Sequence, residues 1–189
     1  MIVNHSYTQQ NLIYNGDFEI YDTCPTSIST PGDFQIEHCT GWYAPTTATP
    51  DYFNTCASWP VSVPNNTMGD RTPYSGDGYC GLLIEYCFNP NGICDYGWWI
   101  EYIQSELSNE LKSGYEYLFQ CHVSLTNKLF AQYAYSKFGA SFTASQITRS
   151  DAKSFEFIPQ IFNGATNHLQ DTNWVEFAKS GEIDHPRPV

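Results

Sequence analysis

Basic residues are scarce in this chain: Lys and Arg total 8 against 20 Asp and Glu, for a formal net charge of −12. Nucleic-acid binding relies on clustered Lys and Arg that displace counterions from phosphates, and no such cluster occurs, so nucleic acid is excluded as a partner. No apolar run approaches the ~20 residues of a membrane-spanning helix, and no transmembrane segment is expected. The start, Met1 to Gln10, lacks the charged and apolar regions of a signal peptide. No Cys-x2-Cys pair is present, which removes the usual spacing of a zinc site. Catalytic signatures are missing as well. The histidines His5, His38, His122, His168 and His185 form no His-Glu-x-x-His, and there is no Gly-x-Ser-x-Gly elbow or phosphate-binding loop. Cys121 and His122 are neighbours on a predicted strand, so their side chains diverge. Glu85, Glu101 and Glu106 fall in β-like stretches and offer carboxylates for a glycosidase pair. Surface acids are the simpler reading, and the chain is not expected to be an enzyme.

What is abundant points to β structure. Aromatic residues make up 16% of the chain, with 14 Tyr and 12 Phe against 2 Met, beside 13 Gly and 11 Pro. This is the composition of a strand- and turn-rich domain, and 189 residues suffice for one domain with a real core. The cysteines Cys24, Cys39, Cys56, Cys80, Cys87, Cys94 and Cys121 lack metal spacing, which favours disulfides and an oxidising compartment; buried free thiols are the alternative. Their odd number leaves at least one thiol unpaired in a monomer. Disulfides without a visible signal peptide are in tension. The expectation is an N-terminus trimmed or misassigned upstream, with the mature chain starting near Gln10.

In chain order, Asn11 to Glu19 places Leu12, Tyr14, Phe18 and Ile20 as inward-facing residues of short strands about an Asn15-Gly16 bend. From Tyr21 to Asn66 repeated X-Pro pairs give loop, with a short strand at Phe34, Ile36 and His38. A Cys24–Cys56 bridge would pin that loop, closing about thirty residues for about 3.5–4 kcal/mol. Tyr79 to Phe88 reads as a strand, followed by a turn at Asn89 to Gly92 tied by Cys87–Cys94. Trp98 to Ile103 alternates as a strand, with a helix through Ile100, Ile103, Leu107 and Leu111 as its rival. Tyr115 to Ser124 has clean period-2 alternation, and Phe138 to Phe142, Phe155 to Phe162 and Asn173 to Phe177 add further strands. Roughly eight short strands make an all-β sandwich or jelly roll. The expected organisation is a leader over 1–10, a β-sandwich domain over 11–177 and an irregular tail over 178–189.

Four motifs in this order carry a resemblance. They are Asn11-Leu12-Ile13-Tyr14-Asn15-Gly16-Asp17-Phe18-Glu19; Gly41-Trp42-Tyr43 leading to Thr49-Pro50-Asp51-Tyr52-Phe53-Asn54-Thr55-Cys56; Glu101-Tyr102-Ile103-Gln104; and Pro159-Gln160-Ile161 with Asn173-Trp174-Val175. Together they resemble secreted and surface domains of Bacteroidota with a galactose-binding-like jelly roll, similar to carbohydrate-binding modules and found before OmpA-like or sorting domains. The resemblance implies possible fusion to a cell-envelope anchoring domain. It also implies a structural Ca²⁺, for which Asp17 and Glu19 supply two carboxylates; the closing-strand Asp that usually completes such a site is not identifiable. The pattern breaks after Phe177, where Pro186 and Pro188 bar a central strand and suggest a truncated one.

Sugar rings bind by laying C–H faces on flat aromatics, with polar groups holding hydroxyls. The candidates are Tyr43, Tyr52, Trp59, Trp98, Trp99 and Tyr102, with one of the adjacent Trp98 and Trp99 facing outward. Trp42 and Phe53 read as loop pins. The expected function is a non-catalytic secreted or cell-surface binding module, carbohydrate-binding or adhesion-like. The alternative is a structural or protein-interaction domain of the cell envelope without a sugar site.

Overall fold

The computed structural model describes residues 10–84, 99–126, 138–155, 159–162 and 173–183. Glu85, Cys87, Cys94 and Trp98 lie outside the described residues, so the expected Cys87–Cys94 bridge and the Trp98 platform do too.

Alternation of apolar and polar side chains produces β5 (Glu116–Val123), one of two eight-residue strands among the described residues. It pairs antiparallel with β8 (Val175–Glu182), matching Phe119 with Lys179, Cys121 with Phe177 and His122 with Glu176. The inner face carries Phe119, whose ring lies 5.8 Å from that of the buried Phe177, and Phe138 meets Phe177 edge-on at 5.4 Å. Leu118 and Gln120 face outward. The sequence reading ended the last strand at Phe177 and expected an irregular tail from residue 178. Instead β8 runs on through Ala178 to Glu182, because the β5 ladder offers partners along its whole length and the prolines come only afterwards.

The other strands are short: β1 (Trp42–Tyr43), β2 (Asp51–Asn54), β3 (Gly78–Gly81), β4 (Gln104–Ser105), β6 (Gly139–Ala140) and β7 (Ile161–Phe162). They form antiparallel pairs β1–β4, β2–β3 and β6–β7. The described residues are thus β-structured with one 3₁₀ turn and no α-helix. Among the described residues the strands form four two-stranded antiparallel pairs. No helix among them is long and apolar enough to cross a membrane.

Three local expectations are replaced. Asn11 to Glu19 is a turn whose one ladder contact among the described residues is the Ile13–Leu107 bridge, and Tyr14 and Ile20 are exposed where inward packing was expected. Positive φ falls on Asn15 (53°) and Phe18 (63°), not on Gly16. The Asn15 amide takes the place of a strand partner: Nδ2 donates to Ile20 O (2.7 Å) and Thr40 O (2.9 Å), and Oδ1 accepts Ile20 N–H (2.8 Å). Phe34 to His38 is not a strand. Gln35–His38 forms a 3₁₀ turn because Ser29 Oγ accepts Gln35 N–H (2.9 Å) while Glu37 and Cys39 donate to Phe34 O and Ile36 O. Trp99 to Ile103 is neither helix nor continuous strand; Trp99 bridges Lys153, and the ladder with β1 starts at Gln104.

The core lies where these loops meet. Ile36, Cys39, Trp42 and Tyr52 are buried together, with Ile13, Phe18, Phe34, Ala44, Cys80 and Ile103 packed around them. Phe18 stacks on Trp42 at 4.9 Å, and the Trp42 indole donates to Asn15 O (2.8 Å). Strand β2 is buried on both faces.

Candidate functional site

Cys24 and Cys56 form a disulfide with a Cα–Cα distance of 6.0 Å. It anchors the loop that follows β2. In that loop Cys56 N–H donates to Asn54 Oδ1 (2.9 Å), Ala57 N–H to Asn54 O (3.1 Å) and Val61 N–H to Ser58 O (3.1 Å). Thr67 donates to Pro60 O through both its N–H (3.0 Å) and its hydroxyl (3.2 Å). Val61 is wholly buried and plugs the base of the loop. At its tip Trp59 is 66% exposed, the most exposed of the large apolar side chains described. A rigid backbone therefore presents an indole to solvent.

The other aromatic candidates divide. Tyr43 alternates with the buried Trp42 on β1 and is exposed. Tyr52 cannot be a ligand platform: it is fully buried, its hydroxyl donates to Phe18 O (2.8 Å) and accepts from Asn54 Nδ2 (2.8 Å). Burial, then the nearby Cys39, keeps its phenol well above the usual range. Its place in β2, enclosed on both faces, is the reason. Tyr102 is half-buried, with its ring edge-on to Phe155 at 4.7 Å and its hydroxyl accepting Phe155 N–H (3.2 Å). Trp99 is half-buried too, and its indole donates to Glu101 Oε1 (3.4 Å). Both pin the 99–105 segment onto residues 153–155.

Of the two proposed metal ligands, Asp17 is exposed, while the Glu19 carboxylate is engaged by backbone. Asp77 N–H donates to Glu19 Oε1 (2.8 Å) and Oε2 (3.0 Å), and Gly78 N–H to Oε1 (3.0 Å). Gly76 at φ 65° lies so close that a Cβ there would collide with the same carboxyl. The structure thus uses Glu19 as a turn clamp. No cluster of three metal-ligating side chains occurs among the described residues.

Sequence reasoning missed a pair of buried acids. Glu101, read above as a surface residue, is 4% exposed, as is Asp51. Glu101 Oε2 accepts Leu83 N–H (2.7 Å), and Oε1 accepts the Thr49 hydroxyl (3.1 Å). Asp51 Oδ1 accepts Ser29 N–H (2.7 Å). Among the described residues neither forms an ion pair. Burial pushes the Glu101 carboxyl up to about 7, helped by the Asp51 charge, and burial pushes Asp51 up to about 6. The available signal was a lone acid inside the apolar run from Trp98 to Ile103. These carboxylates tie chain segments together.

Against this geometry, no family profile, no curated protein and no solved structure matches the chain.

Proposed function

We propose that this chain is a non-catalytic extracellular binding module that engages carbohydrate through surface aromatics, built on a jelly-roll-like β scaffold. The observation that carries the reading is Trp59: a two-thirds-exposed indole on a loop fixed by a disulfide, a buried valine and several hydrogen bonds. Exposing an indole to water is unfavourable unless something covers it, and holding it rigid removes the entropic cost of ordering it on binding. Exposed Tyr43 is consistent with the same role. The disulfide favours an oxidising location, secreted or at the cell surface. The buried acids support a non-catalytic reading, since their oxygens serve backbone and hydroxyl donors.

Affinity electrophoresis of the whole chain through gels containing soluble polysaccharides tests this. Retardation that Trp59→Ala abolishes, with an unchanged melting temperature, is expected. Equal mobility in every gel for a folded wild type would overturn it. A second reading, a protein-interaction domain, draws on the exposed Tyr14, Ile20, Tyr21 and Ile28 of one N-terminal stretch. A binding defect caused by Ile20→Ser and not by Trp59→Ala would favour that reading.

A further inference from the structure

A second aromatic lies outside the Trp59 loop and was not marked by the sequence. Tyr74 is 57% exposed, yet its ring is stacked on the His122 imidazole, with centroids 3.4 Å apart and an interplanar angle of 11°. One face of the phenol is therefore covered, and its exposure belongs to the other. The backbone beneath it is fixed. Arg71 N–H donates to Pro64 O (2.7 Å), Arg71 Nη2 to Leu125 O (3.3 Å), and the Trp174 indole to Thr72 O (2.8 Å). His122 is held from β5, opposite Glu176 on β8, so the two side chains share the outer face of the ribbon.

Polar groups line up beside the His122 imidazole on the outer face of the ribbon. Gln120, two residues along β5 from His122, projects on the same face and donates through Nε2 to Glu176 Oε2 (2.7 Å). His122 Nε2 lies 3.9 Å from that same oxygen. Glu176 is 54% exposed, and no described residue donates to its Oε1. The result is an aromatic face backed by His122 and, beside that imidazole, a carboxylate oriented through one oxygen and open at the other.

We propose that the free face of Tyr74 is a second saccharide-binding platform, with Glu176 Oε1 accepting from a sugar hydroxyl. The ligand class is a neutral glycan. A planar apolar face suits the C–H side of a pyranose, the open carboxylate oxygen suits a hydroxyl, and a carboxylate rim on a chain of net charge −12 disfavours anionic sugars. This rests on the carbohydrate reading and adds a separate surface to it.

The test is NMR titration of the full chain with two neutral polymers, xyloglucan and galactomannan, and one anionic polymer, polygalacturonate, following the His122 imidazole resonances. Binding constants for Tyr74→Ala, Tyr74→Phe, Glu176→Gln and Trp59→Ala accompany it. Saturable His122 shifts with a neutral polymer are expected. Tyr74→Ala should lose about tenfold in affinity while Tyr74→Phe stays near wild type. Glu176→Gln, which leaves the loop contacts in place, should also weaken binding and keeps the test decisive if Tyr74→Ala does not fold. Neutral-glycan binding that depends on Trp59 alone, with static His122 resonances, overturns this proposal and leaves the Trp59 reading standing. Shifts with polygalacturonate alone overturn the ligand class, and no shift with any polymer overturns the site.

Discussion

Asn15 shows how much one buried polar residue can organise. Its side chain bonds Ile20 and Thr40, reaches Cys39 Sγ (3.3 Å), and its carbonyl receives the Trp42 indole, all from a backbone at φ 53°. Alanine would strand those partners and sit poorly in the left-handed region. Asn15→Ala is expected to destabilise by about 3 kcal/mol in urea unfolding, and Asn15→Asp gives no rescue because a carboxylate oxygen cannot donate to the Ile20 and Thr40 carbonyls. Glu101 and Asp51 give the fold a pH dependence whose sign follows from their raised values. A carboxyl that holds its proton more tightly when folded lends stability below its unfolded value, and that stability is lost as pH rises through the folded one. The window runs from about 4 up to 7, the folded values being about 6 for Asp51 and about 7 for Glu101. Unfolding free energy should therefore fall from pH 4.5 to 7.5, by an amount on the order of 3 kcal/mol from Glu101 alone, and melting temperature should fall with it. Glu101→Gln should flatten much of that slope. An unchanged slope in the variant would assign the pH dependence elsewhere.

Among the elements, the long loop from Tyr21 to Asn66 holds its shape through cross-links more than through ladders. The Cys24–Cys56 bridge spans 32 residues. Replacing both cysteines with serine is expected to cost about 3.5–4 kcal/mol in the chain-entropy account. Unfolding of the wild type in the presence and absence of reductant should reproduce that difference. The remaining described thiols behave differently. Burial pushes Cys39, Cys80 and Cys121 each up to about 12, so they are poor nucleophiles in the folded chain. Glu19 does for the 75–78 turn what the disulfide does for the loop: its carboxylate gathers two successive backbone N–H groups that no strand satisfies. The β5–β8 ribbon is the opposite kind of element, with its shape written in alternation and its inner face sealed by Phe119, Phe138 and Phe177.

At the scale of the whole molecule, the acidic surface constrains the partner. If the ligand is neutral sugar held by stacking and hydrogen bonds, affinity should barely change between about 0.05 and 0.5 M salt, because no ion pairs are screened. A steep fall with salt, measured by the same titration, would point to a charged partner instead. The amino-acid sequence by itself determined the strand-rich character, the absence of a membrane helix among the described residues and the β5 alternation, since composition and period-2 patterning act locally. The sites were far less legible. Tyr52 and Trp59 look alike as loop aromatics, yet one is sealed inside β2 and the other stands at the tip of a pinned loop. Glu101 looked like a solvated acid until Leu83 and Thr49 closed over it. Tyr74 gained meaning only when His122, far along the chain, came to lie under its ring. Burial and the partners of a polar atom are set by segments distant in sequence; only the tertiary structure could decide which aromatic faces water and which acid keeps a proton.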